Sequence, residues 1–259
     1  MSEYDAYLDQ VAAALDAARA QGPTIDTAAT WMADAIAGGR VVTVFGASHA
    51  GLLAQDLMYR AGGLAAIDAV LPRQLMLDTR PVTDTTAWER RPGFGAELFA
   101  GRGLGPGDVV ILISVSGRNP VIVEAATTCA AAGARVIAVT SLEYSRSVTG
   151  RGGPRLFEVA DLVIDLPGRV GDASVQLAAD CWAGPTSSAV GAAVLHGLCV
   201  TAAAQLVRRG VETPVFQSAN TDDGDAANAR LLARYRDRVG YLEGSAITTG
   251  PFPEPVRSW

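Results

Sequence analysis

Five short apolar runs, separated by stretches of helical period, constrain the fold of this 259-residue chain more than any other feature. They lie at residues 41–45, 65–71, 109–114, 135–139 and 162–166, and each is almost continuously apolar instead of alternating. A strand apolar on both sides needs cover on both faces, which is the situation of a parallel sheet between two helical layers. Helical spacing at 50–61, 85–100 and 120–132 supplies the crossovers, and "GPGD" (105–108) and "AAGAR" (131–135) are turns leading into strands. The expectation is an α/β fold: a three-layer αβα sandwich around a five-stranded parallel sheet. Two helices precede it at 4–20 and 24–37, the second capped by Thr24 or Asp26, and two follow at 186–208 and 225–238. The chain reads as one domain, with N-terminal helices over 1–38, a core over 39–239 and an extended, proline-bearing arm over 240–259. The glycine- and arginine-bearing segment 141–160 reads as a long loop with one short helix, a length that often signals function.

Charge and composition narrow the chemistry. A net charge of −6 argues against a nucleic-acid or anionic-membrane surface, since both require a cationic footprint. A small molecule is the expected partner. All 21 basic residues are arginine, so Schiff-base, pyridoxal-phosphate and Walker A chemistry, each of which needs a lysine amine, is excluded. Cys129, Cys181 and Cys199 lie far apart in apolar or alanine-rich surroundings, as buried thiols of a cytoplasmic protein would. The N-terminus "MSEYDAYLDQ" carries acids where a signal peptide carries bases. Residues 187–207 hold no charge for about the span of a bilayer, but their alanines and glycines suit a core or subunit-interface helix better than a membrane span.

Two strand ends carry chemistry. In "VVTVFGASHAGLL" a strand turns at Gly46 and a helix opens at His49, with the hydroxyl of Ser48 between them. Asp68 stands about where a dinucleotide fold places its ribose-binding acid, yet Ser48 occupies the position of the glycine that a pyrophosphate must approach. In "ILISVSGRNPVIVEAA", Ser114, Ser116 and Gly117 follow a strand, and Asn119 and Pro120 begin a helix as N-cap and first-turn residue. Hydroxyls and free N–H groups at a helix start cradle an anion without lysine, and a phosphate monoester fits.

These two turns resemble those of the sugar isomerase (SIS) domain family, in which a Gly-x-Ser turn and a Ser-x-Ser-Gly-x-Thr turn build a phosphosugar pocket. Gly46 with Ser48, and Ser114, Ser116 and Gly117, match; Asn119 replaces the threonine, and Ser48 and Ala50 depart from the Gly-x-Gly-His-Ser usual in close relatives. The chain is most similar to a bacterial group of stand-alone SIS proteins, through "LMYRAGGL", "ISVSGRN", "VTSLEYSRSVT", "LFEVADLVID", "GDA", "GPTSSAVGA" and "TPVFQSANTDDGD". The resemblance implies that Ser48 binds phosphate, that His49 lies at the sugar end of the pocket, and that Thr186 and Ser187 face the sugar. It also implies a homo-oligomer, dimer or tetramer, with the 186–208 helix at or beside the interface, where Gly191 and Gly197 would let two backbones come close.

Ketose–aldose isomerisation needs a base that shuttles a proton through an enediol and an acid that opens the ring. Glu89 stands in a segment resembling the family's sugar-facing helix and is the first candidate base, with Glu97 the alternative; His49 is the second catalytic candidate. Glu124 reads as a surface or packing residue, His196 as a hydrogen-bonded core or interface histidine, and Asp222, Asp223 and Asp225 as acids preceding a helix. No ligand spacing for a metal is present, and no cofactor is expected. The leading expectation is a cytoplasmic phosphosugar isomerase. The alternatives are a phosphosugar-sensing module without turnover, and lyase or etherase chemistry in the same pocket.

Overall fold

The computed structural model describes residues 2–242. Five strands, β1 (Val42–Gly46), β2 (Ile67–Val70), β3 (Val109–Ile113), β4 (Arg135–Thr140) and β5 (Leu162–Asp165), form one parallel sheet in the order β2-β1-β3-β4-β5. Successive side chains of a strand point to opposite faces, so each apolar run feeds two cores. Val44, Ile111, Ile113, Ile137 and Val139 enter the larger one; Phe45, Val110, Leu112, Val136 and Ala138 enter the other. Each large aliphatic or aromatic side chain so buried contributes about 1.5–3 kcal/mol, which is why the runs tolerate no polar alternation.

The larger core is closed by α1 (Glu3–Arg19), α2 (Gly22–Ala37) and α3 (His49–Leu57). The opposite face carries α4 (Asp84–Arg90), α5 (Phe94–Ala100), α6 (Pro120–Ala131) and the short α8 (Leu156–Val159), and α7 (Leu142–Ser147) follows β4 in the chain. A two-stranded antiparallel hairpin, β6 (Val175–Ala178) and β7 (Cys181–Ala183), precedes α9 (Ser187–Arg208), and α10 (Gly224–Tyr235) follows. The helix α9 returns to the larger core, where Val190, Leu195, Leu198 and Leu206 are buried.

Several expectations change in detail. The helix read over 85–100 is two helices, because Pro92 and Gly93, at φ +85°, break it. The start of α5 is capped from α6: the Glu124 carboxylate accepts hydrogen bonds from the N–H groups of Gly93 (2.8 Å) and Gly95 (3.1 Å). A Cβ on Gly95 would stand 2.1 Å from the Val121 carbonyl oxygen, so this glycine sets how closely the two helices approach. The second helix starts at Gly22, with Gln21 at its N-cap in place of Thr24 or Asp26. Segment 141–160 holds two short helices, and the β6–β7 hairpin has no counterpart in the sequence reading. Gly191 packs inside the chain, since a Cβ there would lie 2.8 Å from Leu53 Cδ1, whereas Gly197 is open. Cys129 and Cys199 are buried, and burial pushes both thiols up to about 12; Cys181, on the hairpin, is exposed. Residues 240–242 form a short 3-10 turn, and the rest of the arm read over 240–259 lies outside the described residues.

Each margin of the sheet receives a contact from elsewhere in the chain. On β5 the Gln21 side chain donates from Nε2 to the Asp165 carbonyl (2.8 Å) and accepts from the Asp165 N–H at Oε1 (2.7 Å). On the other side Leu64, just before β2, bridges antiparallel to Val215, and the buried Asp68 carboxylate accepts from the Gly240 N–H (2.7 Å).

Candidate functional site

The strand order reverses between β1 and β3, and their last residues, Gly46 and Ile113, pair side by side. In open α/β sheets the ligand crevice lies beyond the carboxyl ends of the strands at such a switch point. Both chemistry-bearing turns emerge there. Gly46 is required by packing: a Cβ would stand 2.5 Å from the Ala50 carbonyl oxygen, in the first turn of α3. Ser48 is held at φ +51°, ψ −120°, a conformation that costs about 1–3 kcal/mol for a residue with a side chain. Its N–H donates to the Leu75 carbonyl at 3.0 Å, and its hydroxyl donates to Oε1 of Glu89 in a short contact.

Glu89 ties the two turns together. Its other oxygen accepts from Asn119 Nδ2 at 2.5 Å, and Asn119 Oδ1 accepts from Arg151 Nη1 at 2.8 Å. Asn119 has the extended backbone of an N-cap but no capping bond from its side chain, which is turned into this network instead. The Ser114 hydroxyl accepts from the Gly117 N–H (3.2 Å), closing the turn. Gly117 sits at φ +57°, where a Cβ would press within 3.1–3.2 Å of Ser145, Leu156 and Thr140. Ser116 makes no side-chain hydrogen bond among the described residues.

A cavity of about 350 Å³ adjoins this network, lined by His49, Leu53, Val115, Asp172 and Ser187 among others. Asp172, at φ +54°, accepts from the N–H groups of Thr186 (3.1 Å) and Ser187 (3.0 Å) and from the Ser187 hydroxyl (2.5 Å). It thereby satisfies donors at the start of α9 that a helix leaves open. Thr186 itself is buried and joins through its main chain.

The remaining candidates lie elsewhere. Glu97 pairs with Arg91 at 3.2 Å, Glu124 caps α5, and Asp68 pairs with Arg102. His196 meets Asp56 at 2.7 Å, seven residues and about 10 Å along α3 from His49. Among the described residues, no three His, Cys, Asp or Glu side chains gather as a metal site would require.

The profile of the SIS domain matches residues 6–141, a stretch that contains both turns. A UPF0309 protein of Shouchella clausii is 39% identical over 246 residues, covering 93% of this chain and all of the relative. The chain belongs to the SIS-domain family. A second UPF0309 protein, from Oceanobacillus iheyensis, is 41% identical over 222 residues, covering 84% of this chain and 90% of the relative. Among solved structures, a phosphoheptose isomerase from Neisseria gonorrhoeae superposes with a TM-score of 0.54 at 18% identity, covering 77% of this chain and 96% of that one. Another from Francisella tularensis gives 0.51 at 20%, covering 78% and 98%.

On this SIS fold three residues join the site that the sequence reading did not single out. Arg118 lies inside the second turn, directly before Asn119, and an arginine in a proposed anion loop was a usable signal. Arg151 and Asp172 arrive on distant loops; Asp172 lies in the "GDA" stretch that carries the resemblance, which was a usable signal, whereas the position of Arg151 carries no spacing that announces it.

Proposed function

We propose that this SIS-domain protein binds a phosphorylated sugar at the β1/β3 switch point and interconverts its ketose and aldose forms. The observation that carries the reading is Glu89: a carboxylate held between Ser48 of the first turn and Asn119 of the second, at the mouth of the helix that would bind phosphate. The phosphate takes donors from Ser114, Ser116, Gly117 and the N-terminus of α6, a twelve-residue helix whose dipole favours an anion. Glu89, oriented by two donors, moves the proton between neighbouring sugar carbons. His49, which lines the cavity together with Asp172 and Ser187, serves the ring oxygen as acid. The phosphoheptose isomerases that share the fold support the class of ligand and nothing finer.

The whole chain acts as one SIS domain, in the cytoplasm, where its free cysteines stay reduced. Two copies associate through the outer face of α9, where Val200 and Val207 are each 65% exposed on a helix whose other face is core.

The test is a thermal-shift screen of sugar phosphates followed by NMR in D2O. A ligand at a hundred times its dissociation constant adds about 2.7 kcal/mol of stability. Isomerisation through an enediol exchanges solvent deuterium into the sugar, and Glu89→Gln should stop that exchange while ligand still binds. Binding without exchange in the wild type would make the protein a sensor; loss of a side group from the sugar would make it a lyase. No stabilisation by any sugar phosphate would end the reading.

A further inference from the structure

Isomerising a sugar monophosphate uses one anion cradle, yet a second basic pocket lies beside it. A cavity of about 410 Å³ opens between the first turns of α6 and the loop at 151–154, lined by Arg118, Pro120, Thr127, Arg151, Gly152 and Pro154 among others. Arg118 makes no side-chain hydrogen bond or ion pair among the described residues, and its Nε is buried without a partner. A buried guanidinium N–H left without an acceptor is costly and calls for an explanation, and no acceptor in the described residues holds the rest of the Arg118 fork.

Arg151 is part of the same pocket. Of its five N–H donors, one is given to Asn119. Burial, then the neighbouring charges of Arg90 and Arg118, push its pKa below the usual guanidinium value, while Glu89 acts in the opposite direction. The carboxylates nearby do not answer this charge. Glu89 is engaged by Ser48 and Asn119, and both oxygens of Glu124, which also lines the cavity, accept from the main chain of α5. Three guanidinium groups thus stand against two carboxylates already committed elsewhere. Arginine's planar fork matches an oxyanion, either a carboxylate or a phosphate.

We propose that Arg118 and Arg151 form a second anion subsite, so that the substrate is a phosphosugar carrying a second anionic group. This rests on the phosphosugar reading of the cradle. The two sites are joined through a single side chain, since Asn119 gives one end of its amide to Glu89 and the other to Arg151.

The experiment is calorimetry on the full chain with three matched ligands: a hexose 6-phosphate, the corresponding aldonic acid 6-phosphate, and a hexose bisphosphate. The wild type should prefer one of the two doubly anionic ligands over the monophosphate by at least about tenfold, the scale of one charged hydrogen bond. Which one it prefers tells whether the second group is a carboxylate or a phosphate. In Arg118→Gln the preference should fall to about twofold or less, and Arg118→Lys should restore part of it. Equal affinities in the wild type, or the same preference in Arg118→Gln, overturn the proposal. Should Arg118→Gln fail to fold, Arg151→Gln is read by the same ratio. If none of the three ligands binds, the phosphosugar reading fails and the subsite is judged alone with sulfate. Sulfate should raise the Tm of the wild type above chloride at equal ionic strength and not that of Arg118→Gln; an equal rise in both overturns the subsite.

Discussion

Replacing Glu89 with alanine should move binding and turnover in opposite directions. The carboxylate accepts from Ser48 Oγ and Asn119 Nδ2 and lies within the field of Arg151. In the variant those two donors are released toward a phosphate in the adjoining cradle, which no longer meets the protein's own anion. Each hydrogen bond to a charged group is worth about 1.5–3 kcal/mol, but the site is only half buried, and water recovers most of that when the carboxylate leaves. A net gain of about 1 kcal/mol remains, or about fivefold tighter binding of inorganic phosphate. Turnover should fall by about 10²–10⁴, the usual contribution of a positioned base. Calorimetry with phosphate at fixed ionic strength reads the first effect and deuterium exchange reads the second. If Glu89→Ala bound phosphate more weakly, the carboxylate would be assembling the cradle instead of opposing the anion. Undiminished exchange would remove Glu89 as the base.

Other perturbations separate cradle, scaffold and assembly. Ser116→Ala should weaken phosphosugar binding about tenfold or more with little change in stability, whereas Ser114→Ala should do so and also lose about 0.5–1.5 kcal/mol in urea unfolding, because Ser114 accepts from Gly117; unchanged affinity in both refutes the cradle. Gly117→Ala should cost about 1–3 kcal/mol, since a side chain at φ +57° is strained and its Cβ meets three neighbours; a wild-type urea midpoint would show that the turn yields freely. A thiol reagent at pH 8 should label Cys181 alone in the native protein and all three cysteines in urea. The thiolate is the nucleophile, and Cys129 and Cys199, raised to about 12, stay protonated at that pH; mass spectrometry showing native labelling of either would contradict their burial. Val200→Glu should dissociate the assembly in sedimentation, and a wild-type protein that is monomeric at micromolar concentration while binding ligand would defeat the α9 interface.

The sheet was legible because its strands are buried on both faces, so that runs such as "VVILI" declare themselves without help from their neighbours. The β6–β7 hairpin was not legible: its strands are short and largely exposed, and carry no alternation to read. The break at Pro92 and Gly93 was visible in the sequence but lost beneath a helical period that continues on both sides. In the site, the two turns could be read because strand, glycine and hydroxyl are consecutive. Arg151 could not, and Asp172 only through the "GDA" resemblance, because what joins them to the site is the folding of loops more than thirty residues from Asn119 in one case and fourteen from Thr186 in the other. Asn119 was placed correctly at a helix start, but which partner a cap side chain chooses depends on a carboxylate thirty residues away.

The Gln21 amide behaves as a strand one residue long. A parallel sheet ends in two rows of unanswered N–H and C=O groups that can template a foreign strand, and hence fibrils. Here the outer row of β5 meets a glutamine from the head of α2, and the other margin meets the stretch around Val215 and the Gly240 turn. Each margin is thus met from within the chain at one point, by a piece too short to be copied. Growth by adding strands is discouraged where these contacts lie.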